Sequence, residues 1–522
     1  MLARELGFLQ GFRLLGRNPE APSATPERRF LILNLATVRG PKVQGPSRPV
    51  ANALHFYLLN IGIGAAKPRR LRSGRYVQGV HMIRFSSLAR PVALIALGMC
   101  CGMSPAAAEP SVKDVLKTYA DIAQAGYADS LATAKTMRLA IDQFLSRPTE
   151  QNLVAARAAW IAARVPYMQT EVYRFGNSIV DDWEGKVNAW PLDEGLIDYV
   201  AESYGTDSPE NELYVADVIA NVSLTMGGKK IDTRKITKEL LAEKLQEAGG
   251  VEANVATGYH AVEFLLWGQD LNGTGPGNGN RPASDFSTKN CTGGHCARRI
   301  EYLRAVTDLL VDDLAWMTEQ WGEGGEARKV IMDGTDQAGL TAILTGLGSL
   351  SYGELAGERI KLGLMIHDPE EEHDCFSDNT FASHYFDVLG MRNVYAGRYR
   401  RVDGSVVQGP SVADLVKAKS AEVDTEMRTK LAATLDAAGE VYDRGIMIES
   451  YDQMIGEGND EGNAVMQKLV DKLLDQTKSI ERAVATLDLS TIKFEGSDSL
   501  DDPNKVMEEN KSAGAAPASS PQ

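Results

Sequence analysis

Gly258-Tyr259-His260-Ala261-Val262-Glu263-Phe264-Leu265-Leu266-Trp267-Gly268-Gln269-Asp270 sets one imidazole and one carboxylate three residues apart inside an apolar run. With Ala253, Val255 and Ala256 ahead of it, the run reads as a helix, and that spacing puts His260 and Glu263 on one face. An unpaired carboxylate on a buried helix is costly. Two arrangements relieve it: a cation held between the two side chains, or a His–Glu hydrogen bond that closes a helix–helix contact. His-Glu-x-x-His, its inverse and Gly-x-Ser-x-Gly are all absent. His260-x-x-Glu263 supplies two metal ligands at most, whereas a catalytic zinc takes three plus a water. A third would have to come from a distant segment, such as Glu171, Glu354, Glu358 or Asp378.

Outward from this run the chain is helical nearly throughout. Val112, Val115, Leu116, Tyr119, Ile122 and Ala123 recur at three and four, and the stripe continues to Phe144 before Ser146-Arg147-Pro148. Thr149 is placed to cap a second helix with Leu153, Ala156, Trp160 and Ala163, which Pro166 kinks or ends. Residues 172–199 read as loop and short helices, and 211–221 and 237–248 as shorter helical runs. Beyond a Gly-, Asn- and Pro-rich loop over 270–296, helices are expected over 298–319, near Lys329, and over 337–366, 379–395, 412–417, 422–438 and 465–487. No pair of strands is evident. The fold class is therefore all-α, two packed bundles of the four-helix kind: 109–270 and 297–488, joined by a linker over 271–296. Residues 489–522, rich in Ser, Asp, Ala and Pro, are expected to be a disordered tail.

The first 108 residues differ in charge from the rest. They hold 15 Lys+Arg against 3 Asp+Glu, a balance of +12 that leaves −27 for the remainder of a chain whose total is −15. Residues 82–90 are short and basic, 91–103 apolar, and Ala106-Ala107-Ala108 small: the order of a secretory signal over 82–108. Its apolar core falls short of the ~20 residues of a membrane span, and Met99 before Cys100 departs from a lipoprotein box. Residues 1–81 are read as an extension or leader ahead of a true start at Met82. Export leaves Cys291, Cys296 and Cys375. In an oxidising compartment Cys291 and Cys296 would staple their loop, with Cys375 free or pairing with one of them. The acidic remainder argues against nucleic acid and suits a protein that attracts cations.

The motif Gly258-x-His260-x-x-Glu263 with Phe264-Leu265-Leu266-Trp267-Gly268-Gln269-Asp270 resembles the signature of the imelysin-like family. Arg164-Val165-Pro166-Tyr167 with Glu171, Arg174-Phe175-Gly176 and Asn188-Ala189-Trp190-Pro191-Leu192 resemble its first half. Leu355-Ala356-Gly357-Glu358-Arg359-Ile360 and His373-Asp374-Cys375-Phe376-Ser377-Asp378-Asn379 resemble the second half of its iron-regulated branch. The resemblance spans roughly residues 110–489.

That family comprises bacterial periplasmic or outer-membrane proteins, among them iron-regulated protein A and an insulin-cleaving peptidase. The resemblance implies two four-helix bundles with the His motif near their junction, and a role in iron acquisition. A metal ion, or a ligand carrying one, would bind through His260 and Glu263, with Gly258, Glu171, Arg174, Glu354, Glu358, Arg359 and Asp378 as candidate lining. The metal implied is iron, and zinc suits the same ligands. The alternatives are a metallopeptidase, with no catalytic residue assignable, and an accessory module of an outer-membrane receptor whose His–Glu pair is structural. Each lining residue also has an ordinary reading: Glu354, Glu358 and Arg359 as surface ion pairs, and His373, Asp374 and Asp378 as a solvated acidic loop. Trp160, Trp183, Trp190 and Trp267 read as core anchors.

Overall fold

The computed structural model describes residues 110–514. The leader and the secretory segment expected over 1–108 lie outside the described residues, as do residues 515–522.

Helix α1 (Val112–Ser146) starts on Ser111, whose hydroxyl accepts from the Asp114 amide, and it buries the stripe Val115, Leu116, Tyr119, Ile122, Met137, Ile141 and Phe144. Pro148 excludes helical geometry from Arg147, and the chain turns there. Helix α2 (Glu150–Met168) is capped by Thr149, as the sequence predicts, and ends two residues after Pro166. Helix α3 (Ser178–Val187) leads into the loop that carries Trp190.

Helix α4 (Gly258–Trp267) is the expected His helix, and all ten of its residues are buried. An apolar helix with no solvent face has to be surrounded. Trp160 of α2 donates from Nε1 to the Tyr259 carbonyl (3.0 Å), and its ring meets Trp267 edge-on at 5.4 Å. At the far end Arg157 donates to the Leu266 carbonyl (2.9 and 3.1 Å), a cation placed at the negative end of the helix dipole. Helix α5 (Cys296–Gln320) packs on both α1 and α4. The Gly/Asn-rich loop, expected as the divider between bundles, thus runs within the first group of helices, because the buried stripe Tyr302, Leu303, Val306, Leu310 and Leu314 of α5 faces that group. Buried Arg281 holds the loop to Asp198 (2.6 Å) and Asp285 (3.2 Å), and Arg299 reaches the same Asp198 (2.6 Å). Cys291 and Cys296 form a disulfide, and Cys375 is free.

The second group begins with a long helical run. Asp336–Ser349, here α6, continues through a π-wound stretch, Leu350–Lys361, into Leu362–Ile366. Helices α7 (Thr380–Ala396) and α9 (Asp460–Thr486) pack on that stretch, α8 (Ala421–Met447) packs on α7 and α9, and α7 also touches α2.

Three expectations are corrected. Residues 211–221 form turns rather than a helix. Two small hairpins exist: β1 (Ser223–Met226) with β2 (Lys229–Asp232), and β3 (Arg398–Arg400) with β4 (Val406–Gln408). The first turns on Gly227-Gly228, both at positive φ, the two-residue turn that glycine pairs favour. The tail is not disordered through residue 508. Leu489, Ile492, Phe494 and Leu500 pack against the core, and Val506 is buried. Gly348, Gly353 and Gly357 make this possible, since a Cβ at each would collide with Phe494, Glu495 or Ser497. No helix among the described residues is long and apolar enough to cross a membrane.

Candidate metal centre

His260 and Glu263 meet as the spacing predicts. His260 Nδ1 and Glu263 Oε2 are 3.0 Å apart, and both side chains are fully buried. Glu263 Oε1 accepts from the Ser377 amide (3.0 Å) and hydroxyl (2.7 Å). Both carboxylate oxygens are therefore engaged. The remaining ring nitrogen, His260 Nε2, is buried with no hydrogen-bond partner. Burial first, then the Arg164 guanidinium, pushes the imidazole down to about 3, so it is neutral at physiological pH. Burial, then the neighbouring Asp374, pushes the Glu263 carboxyl well up against the Ser377 donors and Arg164. A cation at Nε2 would draw the shared proton onto Nδ1 and leave Glu263 ionised, the orientation that outer-shell carboxylates impose on metal-binding histidines.

The partners on the facing side come from the loop expected to be solvated. His373 and Asp374 are buried instead, and with His260 they bring ligand atoms within 4.8 Å of one another. The two imidazoles lie edge to face at 4.9 Å, and Trp190 flanks His373 at 5.7 Å. Asp374 Oδ1 pairs with Arg164 Nη2 (2.6 Å), while its Oδ2 accepts from Asn379 (2.9 Å) and Ser383 (2.5 Å). Burial raises the Asp374 carboxyl, but Arg164 and these donors outweigh it and hold it below the usual range. Burial, then Arg359 and the neighbouring His260, lowers His373 as well. Two neutral imidazoles and an ionised carboxylate are a set that iron, zinc, manganese or copper accepts. A cation entering it would share Asp374 with Arg164.

Glu171, Arg174, Glu354 and Arg359 form a separate network beside a cleft, a space of about 1650 Å³ that His373, Trp190, Arg174, Glu354, Glu358 and Arg359 border. Arg359, 3% exposed, reaches Glu171 (2.7 Å), Glu354 (2.6 Å) and Asp387 (3.3 Å). Arg174 reaches Glu354 (3.1 Å) and Asp181 (3.0 Å). The Arg359 pairs are buried links between the turn Glu171–Tyr173, α7 and the π-wound stretch rather than the surface pairs that i, i+4 spacing suggests, while Arg174–Asp181 is a partly exposed link to α3. Glu358 lies apart, beside Ser497 of the packed tail. Asp378 joins neither group. Trp160, Trp183 and Trp267 are core anchors, and Trp190 is half-buried on the cleft.

Gly258 acts through its backbone. Its φ is +80°, and a Cβ there would stand 2.5 Å from the Val187 carbonyl oxygen. Gly258→Ala is expected to destabilise the fold by about 2–4 kcal/mol from left-handed strain and that collision, measurable as a shift in the urea midpoint. A loss below ~0.5 kcal/mol would mean the helix start can move.

Sequence reasoning missed Arg164 and Ser377 as site members and set His373 and Asp374 aside. All four stand in stretches that resemble the family, which was the available signal. Their meeting at α4 shows only in proximity, since the loop that bears three of them lies more than a hundred residues along the chain from it.

Fold and site together define a helical-bundle protein with a buried imidazole–carboxylate cluster beside a large cleft. Residues 123–480 match the family model described as Imelysin, more than half of the 522-residue chain, and the chain belongs to the imelysin family. It is similar to Iron-regulated protein A of Synechococcus elongatus, 37% identical over 71 residues, which cover 13% of this chain and only 20% of that protein. A similar solved structure, described as an iron-regulated protein A precursor from Parabacteroides distasonis, has 17% identity. It covers 73% of this chain and 97% of its own, with a TM-score of 0.49.

Proposed function

We propose that this imelysin-family protein binds a metal ion, or a small ligand carrying one, at His260, His373 and Asp374, and serves iron acquisition after export. The observation that carries this is the unpartnered Nε2 of a neutral, fully buried histidine whose other nitrogen is held by a carboxylate. Glu263 would orient His260 rather than ligate. The cleft beside His373 has room for a ligand much larger than an ion. Iron is the first metal to offer, because a similar protein is named as iron-regulated. The order of residues 82–108 suggests a periplasmic or outer-membrane setting, where an uptake partner would receive the metal. A metallopeptidase would need a carboxylate free to activate a metal-bound water, and both Glu263 oxygens are occupied.

Protein stripped with chelator and then offered Fe²⁺ or Zn²⁺ under reducing conditions is expected to retain about one equivalent per chain by elemental analysis. Retention of neither metal at micromolar concentrations would overturn the proposal and leave His260–Glu263 as a structural pair.

A further inference from the structure

A second group of acidic side chains lies on the other side of the same loop. Glu372, Asp378 and Asp452 each bring a carboxylate oxygen within 4.8 Å of the others. Glu372 and Asp452 are 1% exposed. Each of the three keeps one buried oxygen without any hydrogen-bond partner: Glu372 Oε1, Asp378 Oδ1 and Asp452 Oδ2. Orphaned buried carboxylate oxygens are rare, and three facing one another repel. The charges that bear most on them belong to further carboxylates: Asp452 and Asp378 on Glu372, Asp452 and Asp270 on Asp378.

We propose that Glu372, Asp378 and Asp452 bind a hard divalent cation of the calcium class, distinct from the His260 cluster. The ligands are all oxygens, with no imidazole or thiolate among them, which selects calcium or magnesium over softer metals. They come from two places. Glu372 immediately precedes His373-Asp374, and Asp378 immediately follows Ser377, which donates to Glu263. Asp452 sits on the short helix Tyr451–Ile455, whose Tyr451 hydroxyl donates to the Arg359 carbonyl (2.7 Å). A cation between them ties both ends of the loop that carries His373 and Asp374 to the second group of helices. Its role is to fix the geometry of the first cluster without touching it.

The test is calcium binding to the full chain after chelation, by titration calorimetry and thermal melting, with Mg²⁺ in a parallel arm. About one equivalent of Ca²⁺ is expected, raising the melting midpoint by ~3–8 °C at a hundredfold excess over Kd. Asp452→Asn and Asp378→Asn, nearly isosteric, should each weaken binding at least tenfold while leaving the circular dichroism unchanged. His260→Ala should leave calcium binding intact, which separates this site from the first. Tighter response to Mg²⁺ than to Ca²⁺ would overturn the calcium assignment. Absence of any divalent response at millimolar concentration, or Ca²⁺ binding that survives both substitutions, would overturn the site.

Discussion

His260→Ala abolishes retention of Fe²⁺ or Zn²⁺, whereas Glu263→Gln keeps the metal at ~10–100-fold weaker affinity. The difference follows from the two roles. His260 offers a buried ring nitrogen with no hydrogen-bond partner, set against His373 and Asp374. Glu263 sits behind the ring, 3.0 Å from Nδ1, with Ser377 holding its other oxygen. A glutamine in its place keeps an oxygen to accept from Nδ1 but lacks the charge that stabilises a metal-bound imidazole. Competition titration against a chelating dye reads both affinities, and circular dichroism checks that each variant folds. Equal losses from the two substitutions would make Glu263 a ligand instead. No loss from either would remove the metal from this helix altogether.

Arg359→Leu is expected to destabilise the protein by about 3–5 kcal/mol, the range for stranding a buried ion-pair partner. It leaves Glu171 and Glu354 inside the wall of the cleft with only Arg174 nearby, 3.9 Å from Glu171 and 3.1 Å from Glu354. Asp387 is a lesser part of the loss, since burial pushes its carboxyl well up against the pull of Arg359. Urea unfolding measures the total. Adding Glu171→Gln and Glu354→Gln should recover part of it, because those changes remove the stranded charge. If the loss stays under ~1 kcal/mol, water must already solvate this network. The same network sets an acid limit. Burial raises the Glu354 carboxyl, but Arg174 and Arg359 outweigh it and bring it down to about 2. A depressed carboxyl contributes fully above its unfolded value of about 4.5, and that stability is lost as pH falls toward 2.

One part of the site, the His260–Glu263 pair, was legible from local pattern. His260 and Glu263 meet because helical spacing alone puts i and i+3 on one face. The Thr149 cap and the end of α1 at Pro148 follow from side-chain and ring chemistry within four residues. The hairpin at Gly227-Gly228 was equally local, and its glycine pair was the available signal. By contrast, Glu354, Glu358 and Arg359 looked like an ordinary surface row. Local spacing carries no information about the π-wound turn that redirects them, nor about Glu171 and Asp387 arriving from other helices.

The sequence by itself determined the helical class, the Thr149 cap, the His–Glu pair and, through its family motifs, the imelysin membership. Tertiary structure alone decided that the acidic loop is buried, that His373 and Asp374 face His260, and that Glu372, Asp378 and Asp452 converge beyond them. It also decided that α5 joins the first group of helices and that the tail lies on three glycines of the long helix. The physical reason is range. Backbone hydrogen bonding and side-chain periodicity act over a few residues, so they can be read along the chain. Desolvation and ion pairing act between whatever surfaces packing brings together, and only the folded chain settles which those are.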